Sequence, residues 1–397
     1  MIGISKLYCG TVEPSDVLRY GRKSKGLPSD LLQFSSDKKP VVVWNMTRTC
    51  NLHCIHCYSQ SDNKRYEGEL TTEQGKELLR DLASFGVPVV LFSGGEPLAR
   101  EDIFELGKFA KELGMRVVIS TNGTLITKEI AQKLKEIGTS YVGVSLDGMR
   151  ETNDRFRGVK GAFDSALRGI RECSDLGIKV GLRFTINKRN VKDIPEIFNL
   201  VEEENIPRIC FYHLVYSGRG SRLIEEDLSR EETRKVVDLI IDKTYELHQK
   251  GRRTEVLTVD NHADGVYLYL RMKREKNPRT DDVLELLKMN GGNSSGNGIG
   301  CISWNGDIHA DQFWRHYSFG NVKERKFSEV WLDLSDPLMK KLKYRKPYLK
   351  GRCAKCKWLD ICNGNFRVRA GAKTGDVWSE DPACYLTDEE IGLDSTK

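Results

Sequence analysis

No stretch of the 397-residue sequence approaches the roughly 18 consecutive apolar residues that a membrane span requires. The opening residues, MIGISKLYCG, lack the basic segment, long apolar stretch and small-residue cleavage site of a secretory leader. Both absences point to a cytoplasmic protein with no membrane partner. A large excess of one charge sign is lacking too: 63 basic against 57 acidic residues leave a net +6, which does not imply nucleic acid, although it suits a small polyanion. There is no internal repeat. The 39% hydrophobic and 30% charged fractions are those of a soluble globular chain, and the length favours two domains or one large barrel with an appendage.

Cysteine, by contrast, is plentiful. Eleven cysteines in a compartment where thiols stay reduced are more readily metal ligands than a disulfide framework. From Val41 onward the apolar runs VVVW, PVVLF, MRVVIS, SYVGVSL, KVGLRFTI and RICFYHL recur every 25 to 40 residues or so. Helical periodicity fills the intervals near 71–84, 101–113, 127–138, 161–176 and 191–204, with Thr71 or Thr72 and Thr127 as candidate caps. Short β-rich runs alternating with helices predict parallel strands buried on both faces, hence an α/β fold: a partial six-stranded TIM-like barrel.

The expected organisation is an N-terminal extension over 1–37, whose fold stays open, a barrel over 38–220, a helical connector over 221–298 and an irregular cysteine-bearing domain over 299–397. The connector contains a long polar helix near 229–249 and the Gly/Asn/Ser-rich run MNGGNSSGNGIG. The last hundred residues hold five cysteines and little periodicity, so metal ligation is expected to supply part of their stability.

The first strand leads into TCNLHCIHCY, which presents Cys50, Cys54 and Cys57 together. Three thiolates can hold three irons of a four-iron cluster and leave the fourth open to a small molecule. Zinc completed by His53 or His56 is the alternative that residue types alone allow. After the second strand comes SGGEP, where Gly94 and Gly95 permit close backbone approach and Glu96 can pair with an ammonium group. With Tyr58 after the third cysteine, these motifs resemble the radical S-adenosylmethionine superfamily over roughly residues 38–220. The resemblance implies a catalytic [4Fe-4S] cluster held by Cys50, Cys54 and Cys57. It also implies S-adenosylmethionine bound near Tyr58, Gly94, Gly95, Glu96, Asn122 of TNG, Ser145 of SLDG and Arg157 of NDRFRG, and a low-potential electron donor as partner.

A second constellation, RCAKCKWLDIC followed by PAC, supplies Cys353, Cys356, Cys362 and Cys384. It resembles the auxiliary-cluster region of the SPASM and twitch group. Where the full pattern ligates two clusters, this chain has Cys301 at the opening position but Asp311 and Phe366 at two others. The resemblance therefore implies one auxiliary [4Fe-4S] cluster on the four intact cysteines, with the role of Cys301 open.

The segments DNHADGVYLYLR, LLKMNGGNSSGNGIGC and DIHADQFWRHYSFGNV resemble radical enzymes that trim modified haems. That resemblance implies an iron-tetrapyrrole substrate, with removal of two acetates from 12,18-didecarboxysirohaem to give iron-coproporphyrin III favoured over removal of propionates for haem d1. The run LYCGTVEPSDVLRYGRKSKGLPSD contributes to that preference. Loss of hydrogen from a ring carbon beside the acetate-bearing carbon would let the neighbouring carbon–carbon bond break. His262, His309, Trp314, Arg315 and His316 lie in these segments as candidate substrate contacts, and a histidine could ligate the substrate iron. A peptide-modifying maturase is a competing reading, weakened by the absent cluster ligands. A zinc scaffold accounts for the cysteines but not for GGEP or the barrel pattern.

Overall fold

The computed structural model describes residues 1–20 and 39–393. Positions 21–37 of the expected N-terminal extension, and with them GRKSKGLPSD, lie outside the described residues.

Among the described residues ten strands form one sheet: β1 (Ile2–Gly3), β2 (Val41–Thr47), β3 (Val89–Gly94), β4 (Arg116–Thr121), β5 (Tyr141–Ser145), β6 (Val180–Ile186), β7 (Arg208–His213), β8 (Glu255–Val259), β9 (Ile299–Ile302) and β10 (Ile308–His309). Their order is β1-β8-β7-β6-β5-β4-β3-β2-β9-β10. All neighbours from β8 through to β9 run parallel, and only the edge strands β1 and β10 are antiparallel. The six strands expected from the apolar runs are β2 to β7. Two parallel strands widen them: β8, hidden in the supposed connector, and β9, at the start of the cysteine-bearing segment, which pairs Val43 with Cys301. The N-terminal residues also join the sheet, through Ile2 opposite Thr258.

Helices α1 (Ile4–Cys9) and α2 (Asp16–Tyr20) precede the barrel. Around it lie α3 (Thr72–Phe85), α4 (Ile103–Glu112), α5 (Lys128–Glu136), α6 (Arg150–Arg157), α7 (Ala162–Asp175), α8 (Ile194–Glu203) and α9 (Arg230–Gln249). Thr71 caps α3 in a reciprocal box with Gln74, and Thr127 caps α5 through the Ile130 amide, satisfying first-turn donors. The connector ends in α10 (Ala263–Arg274) and α11 (Thr280–Asn290). Among the described residues no helix is long and apolar enough to cross a membrane.

The two-residue period of each strand sorts its side chains. Trp44, Val90, Phe92, Val117, Ile119, Val142, Val144, Leu182, Phe184, Ile209 and Phe211 face outward, fully buried in the core beneath the helices. Their alternates Val43, Leu91, Val118, Tyr141, Arg183, Cys210 and Tyr212 face a lumen of about 330 Å³. The expectation of apolar burial on both faces thus holds outside the barrel but not inside it, where arginine and tyrosine break the apolar lining.

Candidate active site

The loop after β2 carries Cys50, Cys54 and Cys57 to the carboxyl ends of the strands, where they line a recess of about 160 Å³ with Tyr58, Gly94, Gly95, Asn122, Ser145 and Arg157. Gly94 has φ +130°, and a Cβ there would stand 2.4 Å from the Thr47 carbonyl oxygen; one on Gly95 would lie 2.2 Å from that of Thr49. Only glycine lets β3 end this close to the cysteine loop. The Gly95 and Glu96 amides in turn donate to Thr47 O and Thr49 O, clamping the two segments.

Two of the three thiols meet hydrogen-bond donors. Cys50 Sγ accepts from the Leu52 amide at 3.4 Å and lies 3.8 Å from Asn122 Nδ2; Cys54 Sγ accepts from an Arg157 guanidinium N–H at 3.4 Å. Burial pushes the Cys50 thiol up to about 12 and raises Cys54 as well. A buried thiol of this kind stays protonated unless a cation takes up the thiolate charge, so the donor set fits a metal cluster. Among the described residues no three cysteine, histidine or acidic side chains converge as the ligands of a single metal ion would. His53 is instead exposed and bonds Asp62 at 2.5 Å, while His56 lies 3.2 Å from Asp147 and packs on Phe156.

Arg157 is buried between Cys54 and Asp147, with Nε unpartnered. Tyr58 donates its hydroxyl to Asn45 Oδ1 at 3.0 Å. Glu96 stands apart from the other expected cofactor contacts. It is fully buried, and its carboxylate accepts from Thr121 Oγ1, the Leu98 amide and the Asn122 amide. It therefore ties β3 to the TNG turn instead of lining the recess.

The recess continues into the lumen: Val43, Leu91, Arg183, Tyr212, Asp260 and Gln312 line both. Of the expected substrate contacts, only His262 is on the lumen wall, with Nδ1 buried and unpartnered. The other four are off both cavities, for visible reasons. His309 has both nitrogens engaged, by Ser303 Oγ at 2.8 Å and Tyr317 O at 2.7 Å. Trp314 is buried in an apolar cluster with Phe313 and Phe366 and stacks on His316. Arg315 donates to Ser59 and covers the Trp304 ring at 4.5 Å.

Among the lumen residues that motif reading missed are Arg183, Tyr212 and Asp260. The first two carry a legible signal, since they are polar residues at inward-facing positions of otherwise apolar strands. Asp260 follows β8, a strand concealed in the connector. It has φ +66°, and burial pushes its carboxyl up to about 7 against the opposing pull of Arg369.

The second cysteine set also shares one pocket. Cys353, Cys356, Cys362 and Cys384 line one largely apolar pocket with Trp358, Leu359 and Leu386. Burial raises Cys384 to about 11 and Cys362 further, again a donor set suited to a metal cluster. The buried pair Arg369–Asp381 fastens this pocket to the barrel: Arg369 also donates to Leu214 O and Asp260 O, beyond the ends of β7 and β8. Cys301 is buried beside Asn45, off both cavities, and Asp311 and Phe366 line the lumen.

A parallel barrel whose cysteine loop and glycine turn meet at the strands' carboxyl ends matches the Radical SAM superfamily over residues 44–201, and residues 295–357 match an iron–sulfur cluster-binding SPASM domain. The chain belongs to the radical SAM superfamily and is a radical SAM enzyme with an added iron–sulfur domain. Within it, the chain is 70% identical over 395 residues to Fe-coproporphyrin III synthase of Methanosarcina barkeri, covering 99% of both chains. It is 45% identical to pre-heme d1 synthase of Dinoroseobacter shibae, over 89% of this chain and 88% of that one. Its fold is similar to Streptococcus suis SuiB bound to S-adenosylmethionine, with a TM-score of 0.69 at 22% identity over 88% of this chain and 78% of that one.

Proposed function

We propose that this cytoplasmic enzyme removes the two acetate side chains of 12,18-didecarboxysirohaem to give iron-coproporphyrin III. The observation that carries the reading is the 70% identity to Fe-coproporphyrin III synthase along nearly the whole of both chains. The lumen supports it: an apolar-walled cavity with a few charged groups, opening directly onto the cysteine loop, is what a large flat carboxylated substrate needs.

In this reading Cys50, Cys54 and Cys57 hold the catalytic cluster, with S-adenosylmethionine against Gly94, Gly95, Asn122, Ser145 and Arg157. When bound, the pair supplies one-electron cleavage and hydrogen-atom abstraction. Arg157 and Asn122 orient the thiol loop by donating to its sulfurs. Glu96 holds the TNG turn in register. Tyr212 and Arg183, shared by recess and lumen, place the ring edge to be attacked, and proximity is their main contribution. Cys353, Cys356, Cys362 and Cys384 would hold an auxiliary cluster, which would supply one-electron redox capacity beside the barrel, and an external low-potential donor would be the enzyme's partner. Asp311 and Phe366, standing where a further cluster would need ligands, widen the wall available to a macrocycle.

The test is anaerobic incubation of the reconstituted, reduced enzyme with S-adenosylmethionine and 12,18-didecarboxysirohaem, followed by mass spectrometry of the tetrapyrrole. Two successive acetate losses matched by 5′-deoxyadenosine are expected. Cleavage of S-adenosylmethionine over an unchanged tetrapyrrole would reject this substrate and move the test to the haem d1 precursor or a peptide.

A further inference from the structure

The lumen holds more positive charge than its own acidic groups neutralise. At its amino-terminal end Arg208 and Arg19 are both engaged by Glu255, at 2.5 and 2.6 Å. Arg116, the first residue of β4, also lines the lumen, yet among the described residues its guanidinium has no ion pair and no hydrogen bond; its charged neighbour is another cation, Arg208. Higher up, Arg183 reaches Ser120 Oγ and lies 4.9 Å over the Tyr212 ring, again with no carboxylate in ion-pair contact among the described residues. Asp260, the lumen carboxylate that feels the charge of Arg183, makes no ion pair with it among the described residues, and Asp311, the other acid on the lumen wall, is occupied by Ser295 Oγ and the Phe313 amide.

Two arginines facing one cavity without counter-ions carry an electrostatic cost that an anionic ligand relieves. Their placement is informative. Arg116 and Ser120 sit four residues apart on the same strand, about 13 Å of rise, and Arg183 bonds to Ser120. The two guanidinium groups therefore mark the bottom and the upper part of a single apolar wall formed by Val118, Leu91 and Val43. Planar guanidinium forks are matched to carboxylates.

We infer that Arg116 and Arg183 are specificity-determining anchors that bind carboxylates on opposite edges of the substrate ring, holding the macrocycle along the lumen with its upper edge at the cysteine recess. The inference rests on the tetrapyrrole reading and adds to it the substrate's orientation and the groups that read its side chains. Neither arginine lies in the cysteine, GGEP, TNG, SLDG or NDRFRG motifs.

The test crosses two changes. The reconstituted holoenzyme and its Arg116→Gln, Arg183→Gln and Arg183→Lys variants are titrated with iron-coproporphyrin III and with its tetramethyl ester in the same detergent, following the tetrapyrrole absorption band. The unsubstituted enzyme should prefer the free acid. Each glutamine variant should weaken acid binding about ten-fold or more while changing ester binding little, and Arg183→Lys should recover part of the acid-over-ester ratio. Because the ratio is measured within each variant, a general loss of packing does not mimic the result. Equal weakening of acid and ester, or an unchanged ratio, overturns the anchoring role while leaving the tetrapyrrole reading intact. Failure of the unsubstituted enzyme to bind either probe overturns both.

Discussion

An Arg157 guanidinium N–H donates to Cys54 Sγ at 3.4 Å, so a residue of α6 directly supports the thiol loop that follows β2. The same guanidinium pairs with buried Asp147. Arg157→Gln removes both the sulfur's donor and the carboxylate's counter-ion. It should destabilise the protein by about 3 kcal/mol, the usual result of orphaning a buried charge, and loosen cluster retention. Anaerobic thermal unfolding with iron determination checks this, and a variant retaining full stability and iron would show that the contact is incidental.

The two cysteine sets should lose metal independently. Reconstituted protein with two four-iron clusters carries about eight irons; Cys54→Ala and Cys384→Ala should each fall to about four, and the double variant close to none. Only Cys384→Ala should leave S-adenosylmethionine cleavage measurable. An unchanged iron content in either single variant would contradict the ligand assignment of that set.

Glu255 closes the foot of the barrel. Burial acts to raise its carboxyl, but Arg19, Arg208 and Lys179 prevail and hold it at about 2, below its ordinary 4.5. A depressed carboxyl contributes stability that is fully present above about pH 4.5 and is lost as the pH falls toward 2. Glu255→Gln should cost about 3 kcal/mol at neutral pH and flatten the acid limb of the stability curve between those values. Equal acid sensitivity in both proteins would contradict the assignment.

Asp260 should show the opposite slope. Its carboxyl lies at about 7 against an ordinary 3.8, so between those values the folded chain keeps a proton that the unfolded chain releases, and stability declines as the pH rises. Asn accepts the same left-handed backbone, and Asp260→Asn removes the ionisation. The variant's melting temperature should therefore gain on the parent between pH 5 and pH 8. A constant difference across that range would locate the titration elsewhere.

How much of this was legible beforehand can be judged from single residues. Cys50, Cys54, Cys57, Gly94 and Gly95 could be placed because their chemistry depends on local spacing: three thiols on one loop and a turn too tight for a Cβ are properties of neighbouring residues. The six central strands were legible because short β-rich apolar runs recur along the chain with helical periodicity between them. Cys353, Cys356, Cys362 and Cys384 were legible for the same local reason as the first thiols.

Glu96, His309 and Arg183 depended on something else. A glutamate beside a cofactor motif and one tying two turns together have the same local sequence; only the positions of Thr121 and Asn122 across the fold make Glu96 the second. His309 sits in a distinctive segment, yet Ser303 and Tyr317 occupy both its nitrogens. Arg183 and Arg116 are 67 residues apart and share a cavity only because β4, β5 and β6 lie side by side. The residue pattern on its own specified the cysteine loops and the strand repeat, since those arise from short-range spacing, and the family resemblance of those motifs supplied the class of chemistry. Which charged groups face one another across the lumen was decided by the closing of the barrel, because counter-ions are matched through space and not along the chain.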